Sequence, residues 1–316
     1  MSNPGDPNRD ARDPIVASDV WLAVQMPLLL LLSWAVPARG WNALCRGIHA
    51  AGKPFRKPNA LQARIAEVRP SGWDSVAPGD LVDELEAGRL EHYLQILRDY
   101  RPGGWRQDVE IEGLDRLRAA LADGRGAILW VDHFVFNGLA PKKGLHAAGF
   151  AFSHLSRPEH GFSKTRFGIR YLNPIRSRIE DRYLEERVLI ARGAEPRSVR
   201  RLLALLKQNR VVSITAGAWE GRKVAPVPVM GASLPISTGA ASIAVAAGAP
   251  LIPVATVRDE GSQAFRVVLD DPIAWPRDVP KAEAMEAIFA AYGRHLETWI
   301  ASHPGQWRGW KYLRRG

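Results

Sequence analysis

GAILWVDHFVFNGLAPKKGLHAAG, residues 126–149, decides the fold. Its first half, AILWV, is an unbroken apolar run, which suits a strand covered on both faces rather than one facing water. Its last half, LAPKKGLHAAG, has helical spacing and ends on glycine. Between them the strand delivers His133 into a loop. The same alternation continues downstream. FAFSHLSR (150–157), RVLIAR (187–192), RVVSITAG (210–217) and APLIPVATV (249–257) read as strands. GLDRLRAALADG (113–124), PRSVRRLLALLKQN (196–209, with Pro196 at its start) and the small-residue run TGAASIAVAAG (238–248) read as helices. AFRVVLDDPI (264–273) reads as an antiparallel edge strand, and KAEAMEAIFAAYGRHLETWIASHP (281–304) as a closing helix. Apolar strands separated by helices predict an α/β fold, a mixed sheet flanked by helices, over residues 110–316.

Upstream the texture changes. Residues 1–19 are rich in Pro, Asp, Asn and Arg and read as a mobile tail. Residues 20–38, VWLAVQMPLLLLLSWAVPA, carry no charge. A helix of about 19 residues spans roughly 28 Å, near the thickness of a bilayer's hydrocarbon core. Trp21 and Trp34 fall near its ends, where indole rings favour the interface. The segment reads as a hydrophobic membrane anchor, spanning or monotopic. Arg39, Arg46, Lys53, Arg56 and Lys57 follow it, so the positive-inside rule puts the bulk of the chain in the cytoplasm. Residues 39–109 read as a helical connecting region. The apolar positions of LVDELEAGRLEHYLQILRDY (81–100) make one helix, on which His92 is expected at the surface.

The 316 residues are 46% hydrophobic and 24% charged, which excludes a disordered chain. The net charge of +10, mostly from arginine, suits an anionic surface or substrate. One cysteine, Cys45, excludes an internal disulfide and any cysteine-rich metal site. No GxGxxG follows a strand, and there is no GxxxxGK[ST], HExxH, CxxC pair or GxSxG elbow. Basic residues are not interleaved with aromatics as in a nucleic-acid module, so no nucleic-acid partner is expected.

The order of the segments resembles the bacterial lipid A biosynthesis acyltransferases of the lauroyl/myristoyl type, within the lysophospholipid acyltransferase superfamily. The resemblance rests on a hydrophobic anchor, a strand ending in His133, SRP at 156–158, LLALLKQNR, the block GASLPISTGAASIAVAAGAPLIPV, and the ending HPGQWRGWKYLRR. It implies a glycerol-3-phosphate acyltransferase-like fold and a membrane-associated enzyme at the cytoplasmic face of the bacterial inner membrane. Such an enzyme moves a fatty acyl chain from acyl carrier protein or acyl-CoA to a hydroxyl, or an amine, of a lipid or glycolipid acceptor. It implies no cofactor and no metal. His133 matches the family's catalytic histidine. A carboxylate follows five residues later in the family's H-x4-D/E motif, and here that position is Gly138. Arg157 matches the arginine of the SRP turn, and Arg192 matches the arginine of the second block, which the resemblance implies holds an acceptor phosphate. Glu220 and Arg222, in GAWEGRK, match an acceptor-binding loop. Pro250 and Pro253 match the last block.

The chemistry needs a base for the acceptor's proton, and imidazole titrates in the right range. The motif acid fixes the tautomer and steadies the imidazolium. Without it, three substitutes are open. Asn137 could orient the ring through its amide oxygen. Asp132 is adjacent, though in extended chain it points the other way. A distant carboxylate such as Glu220 or Asp181 could close in. Arginines would hold anionic groups, and an apolar groove, with Phe134 and Phe136 as candidate walls, would take the acyl chain. Two other readings stand beside this one. The first is a catalytically silent relative that binds lipid or forms a complex in the membrane. The second is a soluble basic nucleic-acid-binding protein, against which the uncharged 20–38 run counts.

Overall fold

The computed structural model describes residues 13–53, 60–73, 75–190, 195–217 and 223–315. The chain opens with three helices, α1 (Ala17–Ala35), α2 (Trp41–Gly52) and α3 (Ala60–Val68), and the long α4 (Pro78–Arg98). Then come β1 (Val109–Glu112), α5 (Leu114–Ala122), β2 (Ala127–Val131), α6 (Leu139–Ala147), β3 (Phe152–Ser156) and α7 (Asn173–Glu180). They are followed by β4 (Glu186–Leu189), α8 (Glu195–Lys207), β5 (Val211–Thr215), β6 (Val224–Val229), β7 (Ala232–Ser237), α9 (Gly239–Ala247), β8 (Leu251–Val257), β9 (Phe265–Leu269) and α10 (Lys281–Ser302). Seven strands form one sheet in the order β1-β9-β8-β2-β5-β3-β4, and β6 and β7 form a separate hairpin.

The apolar run that opened the reading lies at the centre. All five residues of β2 are buried, and it pairs in parallel with β5 on one side and β8 on the other. Alternate side chains serve opposite faces. Ile128 and Trp130 join the core formed with α8, α9 and α10. Ala127, Leu129 and Val131 join the core under α5 and α6. A strand packed this way has no polar face to show, which is why its sequence does not alternate.

One expectation needs correction, and one element was not foreseen. The strand at 264–273 is β9, antiparallel to β8 as expected, but it is not an edge. β1 pairs in parallel along its outer side, Val109 opposite Phe265. The short VEIE alternates half-buried with exposed residues, a signal too brief to separate from a loop in the sequence. The hairpin β6–β7 was also not foreseen, because prolines 226, 228 and 235 argue against strands. Its two-residue turn places Met230 (φ 54°) and Gly231 (φ 73°) in the left-handed region, as a type I′ turn requires.

The N-terminal helices pack on the α/β body. Helix α4 lies along it, and a buried ion pair, Arg258 to Glu91 at 2.8 Å, ties α4 to the end of β8. Gly88 allows the close approach. A Cβ there would sit 3.0 Å from Val135. Helix α1 begins at Ala17, three residues before the uncharged run, and is long and apolar enough to cross a membrane. One side of it, with Leu29 and Ser33, is buried, while Val20, Trp21, Val24, Leu28 and Leu31 are exposed.

Candidate functional site

A cavity of about 390 Å³ opens at the carboxyl ends of β2, β3, β4 and β5. This is the place where parallel α/β sheets ordinarily receive ligands. His133 from the loop after β2, Arg157 from the loop after β3, Ile190 beyond β4, and Thr215 to Gly217 at the end of β5 all line it. Its walls differ in chemistry. Ile190, Val199, Leu202, Ile214 and Ile243 bring apolar surface, Lys142, Arg157, Lys164, Arg176, Arg308 and Lys311 bring positive charge, and Glu159 adds a carboxylate.

The loop that carries His133 is held by the distant C-terminal segment. Arg308 donates its backbone N–H to the His133 carbonyl at 3.0 Å, and Val135 N–H donates to the Gln306 carbonyl at 2.8 Å. Phe134 and Trp307 form an antiparallel bridge between these bonds. The HPGQWRGWKY block therefore builds the site: it places Arg308, Lys311 and Tyr312 in the cavity wall. Burial, then Arg308, Lys311, Arg176 and Arg89, push the His133 imidazole well below its ordinary pKa, so it is neutral at physiological pH.

The expected companions of His133 are placed as follows. Asn137 lines the same cavity, and its Nδ2 donates to the Asp132 carbonyl at 2.8 Å, closing the loop on itself. The Asp132 carboxylate follows strand alternation to the opposite side. It accepts from Tyr292 Oη at 2.7 Å and from His295 Nε2 at 2.6 Å, and His295 Nδ1 in turn meets Asp270 at 2.8 Å. Arg157 lines the cavity. Arg192, Glu220 and Arg222 lie outside the described residues. Asp181 is bonded to Arg187 at 2.6 Å and does not line the cavity. Phe134 and Phe136, expected as acyl-groove walls, are instead fully buried in two core clusters and line no part of it. Phe136 packs edge-on to Phe265, under Arg258.

The glycine at the motif-acid position has a physical explanation. A Cβ on Gly138 would lie 2.7 Å from His92 Nε2, closer still to Cε1, and 3.0 Å from Arg176 Nη2. The ring of His92 fills the space where a side chain at 138 would start. This corrects the expectation of a surface His92, which is 5% exposed. The helical wheel misleads there because the C-terminal half of α4 is covered on nearly all sides, with Glu91, His92 and Leu94 to Leu97 all buried.

The site also contains a carboxylate that the sequence reading passed over. Glu180, at the end of α7, is fully buried beside the cavity. It meets Arg176 at 2.7 Å, His160 and Arg187 at 3.0 Å each, and Lys142 at 3.6 Å. Burial works against its ionisation, but Lys142, Arg176 and His160 outweigh that and hold the carboxyl well below its usual range. Burial, only partly offset by Glu180, lowers Lys142 to about 8. His160 falls to about 4 through burial and Arg176. A neutral His160 donating Nε2–H to an ionised Glu180 leaves Nδ1 as its acceptor nitrogen. The only sequence signal was the Arg176/Glu180 spacing of four on one helix. No group of three or more His, Cys, Asp or Glu side chains that could hold a metal ion occurs among the described residues.

Residues 100–311 match the family described as bacterial lipid A biosynthesis acyltransferase. The chain belongs to that family. No curated protein matches it. The family match takes in the His133 loop, the Glu180 cluster and the segment Gln306 to Arg308, and leaves out α1, α2 and α3. The family is one of acyltransferases, and within it this chain has a glycine, closed off by His92, where the resemblance calls for an acid.

Proposed function

We propose that this chain transfers a fatty acyl group from an acyl carrier protein or coenzyme A thioester to a hydroxyl or amine of a lipid or glycolipid acceptor. The observation that carries this is the cavity's mixed lining. His133 lines a space whose apolar side chains suit an acyl chain and whose cations suit anionic groups of donor or acceptor. The neutral imidazole takes the acceptor's proton as the nucleophile attacks the thioester carbonyl, and the thiol leaves as thiolate. Asn137 holds the loop in shape, and Arg157, with Arg192, Glu220 and Arg222, binds the substrates.

One observation favours a second assignment of the base. His160 also lines this cavity, and its Nε2 meets the buried carboxylate of Glu180 behind it at 3.0 Å, the geometry of a catalytic dyad. Lipid mass spectrometry of host cells separates the two. Cells lacking the protein are compared with cells expressing wild type, His133→Ala or His160→Ala. A species heavier by one acyl chain is expected with wild type and absent with His133→Ala. If His133→Ala keeps the product and His160→Ala loses it, the base is His160. If wild type and both variants leave identical lipids, the transferase reading fails in favour of a silent lipid-binding relative.

The same proposal places the protein on the cytoplasmic face of the inner membrane, with α1 lying in the interface rather than crossing it. Both ends of α1 are fastened to the body. Asp19 accepts from Thr165 Oγ1 at 2.6 Å, and at the other end Trp34 Nε1 donates to the Leu97 carbonyl at 3.1 Å while Arg98 donates to the Ser33 carbonyl at 2.6 Å. A helix held along a globular body cannot thread a bilayer, whereas its exposed stripe can sink among headgroups. Cysteines at Ser18 and Arg39 are expected to react with a membrane-impermeant maleimide from the same side of sealed inverted vesicles, the native Cys45 being buried. Labelling from opposite sides would show a spanning helix.

A further inference from the structure

A second cavity, of about 370 Å³, lies apart from the His133 site, just past the carboxyl end of α1. Ala38 and residues of the segment 98–106 line it. Three of them are arginines, Arg98, Arg101 and Arg106, and none is acidic. Arg98 is half-buried, while Arg101 and Arg106 are exposed. Asp99, in the same segment, is buried and does not line the cavity. It accepts from the Trp105 N–H at 2.9 Å and from Tyr183 Oη at 2.8 Å, and pairs with Lys143 at 3.0 Å. The three arginines bond to backbone carbonyls. Arg98 Nη1 donates to Ser33 at 2.6 Å and to Trp34 at 2.9 Å, Arg101 Nη1 to Trp34 at 2.9 Å, and Arg106 Nε to Gly103 at 2.9 Å. Among the described residues none of the three meets a carboxylate. A guanidinium carries five N–H donors, so these bonds leave most of them unused.

The cavity begins where the exposed apolar stripe of α1 ends. Trp34 closes that stripe, with its indole N–H on the Leu97 carbonyl and its own carbonyl under Arg98 and Arg101. A helix whose apolar face sinks to the boundary of headgroups and acyl chains brings cations at its end to the level of the phosphates. We propose that this cavity is a lipid headgroup site, in which Arg98, Arg101 and Arg106 take the phosphate of an anionic phospholipid while the stripe of α1 lies among the neighbouring acyl chains. The proposal rests on the reading of α1 as an interfacial helix and adds to it a preference for one class of lipid. A zwitterionic headgroup would bring its own cation among three arginines, whereas a net negative one does not. Arginine suits the task because its planar fork binds phosphate through two parallel hydrogen bonds. The adjoining apolar stripe favours a lipid over an acidic protein segment.

The test is flotation of the purified full chain with vesicles of phosphatidylcholine alone, or with one third of the lipid replaced by phosphatidylglycerol. Wild type is expected to bind the anionic vesicles about tenfold more tightly or better. Arg101→Gln/Arg106→Gln should bind them roughly 10- to 30-fold more weakly than wild type, and should bind phosphatidylcholine as wild type does. Arg101→Lys/Arg106→Lys, which keeps the charge and loses the fork, should recover part of the loss. Arg200→Gln/Arg294→Gln removes two exposed charges from α8 and α10 and should keep the wild-type preference. Equal losses in the two Gln double variants would overturn the proposal by assigning the preference to net charge. Equal wild-type affinity for both vesicles would also overturn it, and would turn the cavity toward an acidic protein partner. Wild type that binds neither vesicle would overturn the reading of α1 as well. If Arg101→Gln/Arg106→Gln loses phosphatidylcholine binding, α1 has been loosened. Arg106→Gln, which removes no bond to α1, then carries the comparison, with a loss of about fivefold expected and wild-type affinity overturning the proposal. None of these readouts requires turnover, so a chain that transfers no acyl group can still pass or fail the test.

Discussion

Gly138→Asp is expected to destabilise the protein rather than repair its dyad. The new Cβ meets the buried His92 ring and the Arg176 guanidinium within 3.0 Å. Overpacking of this kind costs about 1–3 kcal/mol. The double variant His92→Ala/Gly138→Asp is expected to behave differently. Removing the ring opens the space, and the carboxylate then sits near Arg176. Loss of the imidazole is tolerable because His92 Nδ1 has no hydrogen-bond partner. Urea unfolding should show the double variant more stable than Gly138→Asp alone, with a coupling of about 1–3 kcal/mol. If His133 is the base, acyl transfer by the double variant should exceed wild type by about tenfold or more, since the charged partner of a serine-protease histidine contributes up to ~10⁴. A Gly138→Asp protein as stable as wild type would show that His92 does not close the position.

The second large effect is on stability against pH and comes from the chain Asp132–His295–Asp270. Burial opposes the charge on His295, but Asp132 and Asp270 override it and raise its pKa to about 9. A histidine whose folded pKa lies above its unfolded value of about 6.5 stabilises the fold fully below that value. The contribution, about 3 kcal/mol, is lost as pH rises through about 9. His92, His133, His154 and His160 have the opposite sign. Burial, their first cause, lowers each of them. Their contribution is present above about 6.5 and is lost as pH falls toward 4. Stability should therefore peak near pH 6–7. Asp132→Ala leaves a buried His295 facing Tyr292 without its main counter-charge, and should cost about 3–5 kcal/mol at neutral pH. It should also flatten the alkaline limb. Denaturant midpoints between pH 5 and pH 10 measure both limbs, and an unchanged alkaline limb in Asp132→Ala would place its origin elsewhere.

The sheet was legible because β2 and β8 are apolar on both faces, a signal few other structures produce. The strand-to-loop position of His133 was legible for the same reason. β1 was not, because four residues of alternating exposure look like connecting chain. The surroundings of His133 were hidden more deeply. Arg308, Glu180 and His92 come from three elements far apart in the sequence, and nothing in their local patterns shows that the fold brings them within reach of one another's charge. The tryptophans of QWRGWKY illustrate the point. An interfacial belt and a packed terminal core were both open, and the structure buries Trp307 and Trp310 edge to face at 5.1 Å.

The clamp of Gln306 to Arg308 on the His133 loop has a consequence for how the protein comes into being. Synthesis runs from α1 toward the clamp, so α1 is made while the cavity does not yet exist. Until residues 306–311 emerge, the His133 loop lacks these backbone partners and the cavity lacks Arg308 and Lys311. A chain cut short before Gln306 would keep α1 and lack the segment that holds the His133 loop.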